Sequence, residues 1–257
     1  MRNVDKTLKE RDDLFKGEFS KIRSRDAVGF WITAVPADSR IQLGQLYENE
    51  HVSWNVTPLE PLRPQACTVF EVTDSHEKKA INEVFVDEQR LEAYHWFPVL
   101  RSLRGDVPLQ VPDTPRSYYG YAHLSCEGIV ELRWLENARP EHGGTPLYSY
   151  SVVQVLARVL CWVNRVRSQA GDSGTEYVIQ CAVHATSVEK VEVREGRRNG
   201  IKYGMRKHFI NGSAVLPKSS FRDAADELLR TLNRDLCNAA GFAPSGNVRF
   251  KIDCGGQ

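Results

Sequence analysis

The sequence Gly171-Asp172-Ser173-Gly174 is the most direct candidate for a catalytic motif in this chain. The same residue types surround the nucleophilic serine of one class of proteases, in which a further glycine helps to shape the oxyanion hole. Here Thr175 stands at that next position, and the motif follows a long apolar segment with helical periodicity. Gly, Asp and Ser are also typical residues of tight turns. We therefore predict a helix-to-strand turn and no catalytic residue.

Histidines and cysteines are the other residues that could bind a metal or act as nucleophiles. His76-Glu77 begins like the H-E-x-x-H zinc motif, but Ala80 occupies the position of the second histidine. Cys181 and His184 are three apart on a predicted strand, so their side chains lie on opposite faces and cannot form a dyad. The six cysteines include no C-x-x-C pair. We predict no metal site and no cofactor, and we interpret three cysteines within predicted helices or strands as small buried hydrophobic residues: Cys161, Cys181 and Cys237.

The strongest local signal for a binding surface lies between residues 188 and 210. Two strand-like runs, 188–194 and 201–210, flank Asn199-Gly200, a pair typical of β-hairpin turns. Residues 191–208 include six basic and two acidic side chains, a local excess of four positive charges. A basic ribbon can follow phosphates or enter a nucleic-acid groove, although the same charges also protect an exposed edge strand. The candidate nucleic-acid-binding residues are Arg194, Arg197, Arg198, Lys202, Arg206 and Lys207.

A second candidate surface is aromatic. His95, Trp96 and Phe97 are consecutive, and the small basic cluster that begins at Arg101 follows them. Aromatic side chains can form the wall of a ligand pocket, and they are equally typical of the core and its rim. His95, Trp96 and Arg101 are therefore the alternative candidates, for a small-molecule site.

Two long helices and several short strands must position these residues. Apolar side chains cover most of the circumference of the helix predicted at 146–169, so we expect contacts on nearly every side of it. A second helix begins near Phe221, carries a leucine-rich face and ends at Gly241, with Asp226 and Arg230 spaced for a helical ion pair. Apolar runs predict strands at 29–35, 66–72, 118–125, 128–135, 175–185 and 248–252.

These elements predict an α+β fold, with a mixed, mostly antiparallel sheet and two long helices packed on it. Residues 1–24 are rich in charge and carry a thin apolar stripe, so we interpret them as a charged connecting helix. The remaining residues, 25–257, are predicted to form a single α+β domain.

The overall composition provides no global signal for a charged partner. The chain has 257 residues, 34 Lys or Arg and 33 Asp or Glu, so its formal net charge is +1. No segment approaches the ~18 consecutive apolar residues of a membrane-spanning helix, and the N-terminal residues lack the apolar run of a signal peptide. We predict a protein of the reducing cytoplasm without membrane contact.

The order of these segments resembles the region that follows an AlbA-type DNA-binding domain in bacterial proteins of the Schlafen-AlbA_2 class. The resemblance covers about residues 20–185, while the AlbA-type domain itself is absent and residues 1–23 would form the junction. The residues that carry it are Gly29-Phe30-Trp31-Ile32-Thr33-Ala34-Val35-Pro36, Leu100-Arg101-Ser102-Leu103-Arg104-Gly105, Gly128-Ile129-Val130-Glu131, Asn164-Arg165-Val166-Arg167 and Gly174-Thr175-Glu176-Tyr177-Val178.

The resemblance implies a non-enzymatic accessory or regulatory domain of a bacterial nucleic-acid-associated protein, with DNA or RNA as possible partners. Binding would use the basic ribbon, or an exposed helix face would support homo-oligomer assembly. Two alternatives stay open. One is a small-molecule sensor or hydrolytic enzyme with a pocket near His95 and Trp96, and the other is a purely structural homo-oligomerisation module.

Overall fold

The computed structural model describes residues 3–20, 27–48, 56–64, 67–72, 78–80, 95–107, 117–137, 145–172, 174–185, 191–195, 208–210, 214–216, 221–244 and 249–254. Within these ranges the chain contains three α-helices: α1 (Val4–Phe19), α2 (Ser149–Gln169) and α3 (Phe221–Ala239). The helices α2 and α3 share one core with strands, so the predicted α+β class is confirmed. Within these ranges, none of the helices has the length and apolar composition needed to cross a membrane.

The described ranges also contain fifteen strands. They are β1 (Ala27–Pro36), β2 (Tyr47–Glu48), β3 (Thr57–Pro58), β4 (Thr68–Val72), β5 (Lys78–Ala80), β6 (His95–Val99), β7 (Ser102–Val107), β8 (Ser117–Ser125), β9 (Val130–Asn137), β10 (Thr145–Tyr148), β11 (Tyr177–Ala185), β12 (Val191–Arg194), β13 (His208–Ile210), β14 (Ala214–Leu216) and β15 (Arg249–Asp253).

Eight of these strands form a central sheet. Its order is β13-β11-β1-β9-β8-β7-β6, and β14 also pairs with β11. Every pair in it is antiparallel. A separate sheet of β15, β4 and β5 is antiparallel as well, whereas β10 and β12 pair in parallel. The predicted mixed, mostly antiparallel arrangement is therefore confirmed.

The strand β1 lies between β9 and β11 and shows how the two faces of the sheet differ. Because successive side chains of a strand point to opposite faces, Phe30 and Ile32 lie in the main core together with α2. Trp31 and Val35 lie on the other face, where they contact α1. We call the side towards α2 the inner face and the side towards α1 the outer face.

The helix α2 is the centre of the main core. It begins at Ser149 rather than at the predicted residue 146, because residues 145–148 pair with β12 as the strand β10. Most of its circumference is buried, as its apolar pattern predicts. It ends before Gly171, whose φ of 64° is the left-handed conformation expected of a helix-terminating glycine.

The helix α3 packs against α2 and β15 with its leucine-rich face, and the predicted helix is confirmed. The predicted ion pair between Asp226 and Arg230 is wrong. Asp226 faces β15, where its Oδ1 accepts a hydrogen bond from the Ile252 amide over 3.1 Å, while Arg230 pairs with Glu227.

A disulfide joins Cys161 of α2 to Cys254, next to the end of β15. The prediction that Cys161 is a free hydrophobic residue is therefore wrong, because the fold brings together two cysteines 93 positions apart. Disulfides are rare in reducing compartments, so this bond does not support the predicted cytoplasmic location, which stays a prediction.

Candidate functional site

The predicted basic ribbon is only partly described. Arg194 ends β12, whereas Arg197, Arg198, Lys202, Arg206 and Lys207 lie outside the described residues. The described ends of the two predicted strands do not pair with each other: β12 pairs with β10, and β13 pairs with β11. The turn at 199–200 and most of the second predicted strand lie outside the described residues, so the hairpin stays a prediction.

Arg194 and Glu195, at the start of this basic segment, contact residues of two other elements. The Arg194 Nη1 donates to the Tyr148 hydroxyl over 3.4 Å, and its guanidinium carbon lies 5.8 Å from the centre of that ring. Glu195 is buried and accepts a hydrogen bond from Asn233 Nδ2 over 2.9 Å. Arg194 thus lies beside the start of α2.

The alternative pocket residues are divided between the two faces of β6. Trp96 lies on the inner face, with its ring 6.2 Å from that of Trp162 in an edge-on arrangement. His95 lies on the outer face and is exposed, and Arg101 occupies the turn between β6 and β7 with a φ of 52°. His95 and Trp96 therefore do not form the single wall that a shared pocket requires.

The Gly-Asp-Ser-Gly segment forms a turn held by Asp172. Its two carboxylate oxygens accept hydrogen bonds from the Gly174 amide and the Thr175 hydroxyl, each over 2.9 Å. These two bonds lower the pKa of Asp172. Ser173 lies outside the described residues. The predicted separation of Cys181 and His184 is confirmed, because Cys181 lies in the inner core and His184 stacks on Trp31 at the outer face.

A line of mostly polar side chains crosses the outer face, and sequence reasoning missed it. Antiparallel register places one residue from each of six neighbouring strands side by side, and we call this line the charged row. Its members are Gln180, Thr33, Glu131, His123, Arg104 and Phe97. A second row runs beside it through Trp31, Arg133, Tyr121 and Asp106. The alternating apolar and charged residues of β9 are the sequence signal that indicated a polar face.

Glu131 is the centre of the charged row. Its side chain has no solvent exposure, and its Oε1 accepts a hydrogen bond from the Thr33 hydroxyl over 3.1 Å. Two guanidinium groups balance its charge: Arg11 of α1 lies 3.4 Å from Oε2, and Arg133 lies 3.6 Å from Oε1. Within the described ranges, Oε2 accepts no hydrogen bond. The carboxylate is therefore held by charge, with one oxygen incompletely satisfied.

His123 lies beside Glu131 without a hydrogen bond between them. Its Nδ1 is 3.6 Å from Glu131 Oε2, and burial lowers its pKa to about 4, against the opposing effect of that carboxylate. Three nearby guanidinium groups lower the pKa further: those of Arg11, Arg133 and Arg104. His123 is accordingly neutral near pH 7.

Arg133 connects the sheet to α1. It donates to Glu18 Oε2 over 3.1 Å and to the backbone carbonyl of Arg11 over 3.3 Å. Its guanidinium carbon lies 4.8 Å from the ring centre of Tyr121 and 5.7 Å from that of Phe15. The buried guanidinium of Arg133 is thus hydrogen-bonded to groups of α1.

An aromatic cluster holds the C-terminal end of α1 on the sheet. Phe15 lies with its ring centre 3.9 Å from that of Trp31, which in turn stacks on His184 at 5.0 Å. Gly29 lies beneath Phe15 and Phe19, and a Cβ at this position would come within 2.8 Å of the Phe15 ring. The glycine is therefore what allows the helix to approach the sheet so closely.

The charged row reaches solvent beyond the edge of α1. The Arg104 guanidinium carbon lies 3.9 Å from the ring centre of Tyr121 and 5.9 Å from that of Phe97, and its Nε donates to Asp106 over 2.8 Å. The Arg104 side chain is 24% exposed. We call the solvent-accessible group of His95, Phe97, Arg101 and Arg104 the open end. Cations beside ring faces are suited to planar, anionic ligands.

Comparisons with protein-family models, with curated proteins and with solved structures find no match to this chain.

Proposed function

We propose that this chain is a non-enzymatic accessory or regulatory domain of a bacterial nucleic-acid-associated protein, and that it binds single-stranded DNA or RNA at the open end. The observation that carries the proposal is the position of Arg104 between two aromatic residues. Its guanidinium lies against the Tyr121 ring of β8, and Phe97 of β6 lies opposite it in the charged row. Guanidinium planes and aromatic rings on the exposed face of a sheet stack with unpaired bases.

The charges of the open end support the same ligand. Arg101 and Arg104 supply two cations near the β6–β7 turn, and His95 lies exposed on the same face as Phe97. Asp106 pairs with Arg104 and fixes its orientation, so the guanidinium is held in place before a ligand arrives. Phosphates would contact the cations while bases stack on the rings.

The basic segment at 194–207 is proposed as a second source of phosphate contacts. Arg194 fixes its beginning beside Tyr148, and five further basic residues follow in the sequence. Contacts of this kind strengthen binding without selecting a sequence.

Fluorescence anisotropy with a labelled 20-nucleotide oligo-dT and its RNA counterpart tests the open end. Arg104→Ala and Phe97→Ala should each weaken binding about 5- to 100-fold, because stacking contributes about 1–3 kcal/mol per base. The control is Arg234→Ala, an arginine that lies on α3 and is more exposed than Arg104. Equal losses in all three variants would reject the open end as the binding surface.

The basic segment has its own test in the triple variant Arg197→Glu, Arg198→Glu and Arg206→Glu. If the segment contacts phosphates, affinity falls and the salt dependence of log K becomes shallower than in the wild type. If neither this variant nor Arg104→Ala changes binding at low salt, the proposed function is wrong. Light-scattering mass with and without oligo-dT separates it from an oligomerisation module.

A further inference from the structure

The helix α1 covers the part of the outer face that continues inward from the open end. Tyr121 joins the two parts, since its ring contacts Arg104 on one side and Arg133 on the other, at 3.9 and 4.8 Å. We propose that α1 is a displaceable, autoinhibitory cover, and that its release extends the nucleic-acid surface from the open end across the buried rows. This inference rests on the proposed function.

The apolar attachment of α1 is separate from the main core. One cluster consists of Phe15, Phe19, Trp31 and Ala182, and the other contains Leu8, Val35 and Ile129 as its buried members. The main core lies on the inner face around α2 and includes no residue of α1. Displacing α1 would therefore expose these two clusters and leave the main core closed.

The polar part of the interface is incompletely satisfied. Several buried polar atoms beneath or on α1 have no hydrogen-bond partner within the described ranges: Asp12 Oδ1, His123 Nδ1, Glu131 Oε2 and Arg133 Nε. Buried groups of this kind lose their hydration without full compensation. When α1 leaves, water can hydrate them, so part of the lost apolar contact is offset.

The ion pair between Glu18 and Arg133 suggests what the cover replaces. The Glu18 carboxylate lies 3.1 Å from Arg133 Nη1, in the way that a phosphate oxygen would approach the same guanidinium. Trp31 and Tyr121 flank Arg133 in the second row, so a released surface would offer one cation between two rings. An acidic side chain of α1 thus occupies a position suited to a nucleic-acid phosphate.

Two variants of the full chain loosen α1 by different means. Gly29→Val places a branched side chain under Phe15 and Phe19 while suiting the strand conformation of β1. Glu18→Gln removes the charge that pairs with Arg133. The matched controls are Leu14→Ala and Asp13→Asn, both on the exposed side of the same helix.

Hydrogen exchange of the α1 amides and anisotropy with oligo-dT are measured on the same samples. We expect Gly29→Val and Glu18→Gln to accelerate exchange in residues 4–19 but not in β1 or β9, and to raise affinity about fivefold or more, whereas both controls behave as wild type. Faster exchange with unchanged or weaker binding overturns the proposal that α1 is an autoinhibitory cover. Unchanged exchange in both variants overturns it too. If wild type and both variants alike fail to bind oligo-dT, the proposed function itself has failed.

Discussion

The Thr33 hydroxyl donates a hydrogen bond to the fully buried carboxylate of Glu131, on the neighbouring strand but 98 positions away in the sequence. Arg11 and Arg133 approach the same carboxylate, so one acidic side chain joins β1, β9 and α1. A buried charge in such a network is stabilising only while its partners remain.

Removing the carboxylate should therefore destabilise the protein strongly. We expect Glu131→Ala to lower the free energy of unfolding by about 3–5 kcal/mol, since it leaves buried guanidinium charge uncompensated. Thr33→Val should lower it by about 1–3 kcal/mol, because it leaves a buried carboxylate oxygen without its hydrogen-bond donor. Urea denaturation measures both, with the exposed Glu176→Gln as control. A loss below about 1 kcal/mol for Glu131→Ala would contradict the network.

His123 should make stability depend on pH. Its pKa is about 4 in the folded protein against an ordinary value of 6.5, so the unfolded chain binds the proton more tightly. The neutral His123 contributes about 3 kcal/mol to the free energy of unfolding. This contribution is complete above pH 6.5 and is lost as the pH falls towards 4.

Urea unfolding at several pH values between 7 and 4 tests this contribution. The wild type is compared with His123→Gln, because carboxylates titrate in both proteins and their effect cancels in the comparison. The variant should show the shallower decline, and parallel curves would disprove a neutral, buried His123.

Arg101 should lower the stability of the protein while it strengthens oligo-dT binding. Its φ of 52° is unfavourable for a residue with a Cβ, and the Cys126 amide fixes the turn by donating to the Arg101 carbonyl over 2.9 Å. We expect Arg101→Gly to raise the free energy of unfolding by about 0.5–1 kcal/mol while weakening oligo-dT binding. Arg101→Lys, which keeps the strain and the charge, provides the comparison. Stabilisation without loss of affinity would exclude Arg101 from the binding surface.

The thiols should differ sharply in reactivity. Burial raises the pKa of Cys181 and of Cys237 to about 12, and Cys67 is buried too, whereas Cys126 is only half-buried. We expect a thiol reagent such as DTNB to label Cys126 first in the native protein. Denaturation without reduction should reveal four thiols, and prior reduction six. Six thiols before reduction would show that Cys161 and Cys254 are not bonded in that sample.

Local patterns in the sequence determined much of the scaffold. The leucine-rich face predicted α3, the wide apolar arc predicted the burial of α2, and Gly171 marked the turn that follows it. Apolar runs placed β1, β8 and β9 to within about two residues at each end. These features depend on neighbours a few positions apart, which periodicity and capping preferences describe well.

Only the tertiary structure decided which side chains lie together. The charged row takes one residue from each of six strands, and its members meet through a sheet order that places β1 between β9 and β11. The tertiary structure also assigns β12 and β13 to different sheets and brings Cys161 to Cys254. A strand's own sequence indicates that one face is polar, but its partner and register depend on burial across the whole sheet. For that reason Glu131 reads as one charge among 33 acidic residues in the sequence, and becomes the centre of a network only in the fold.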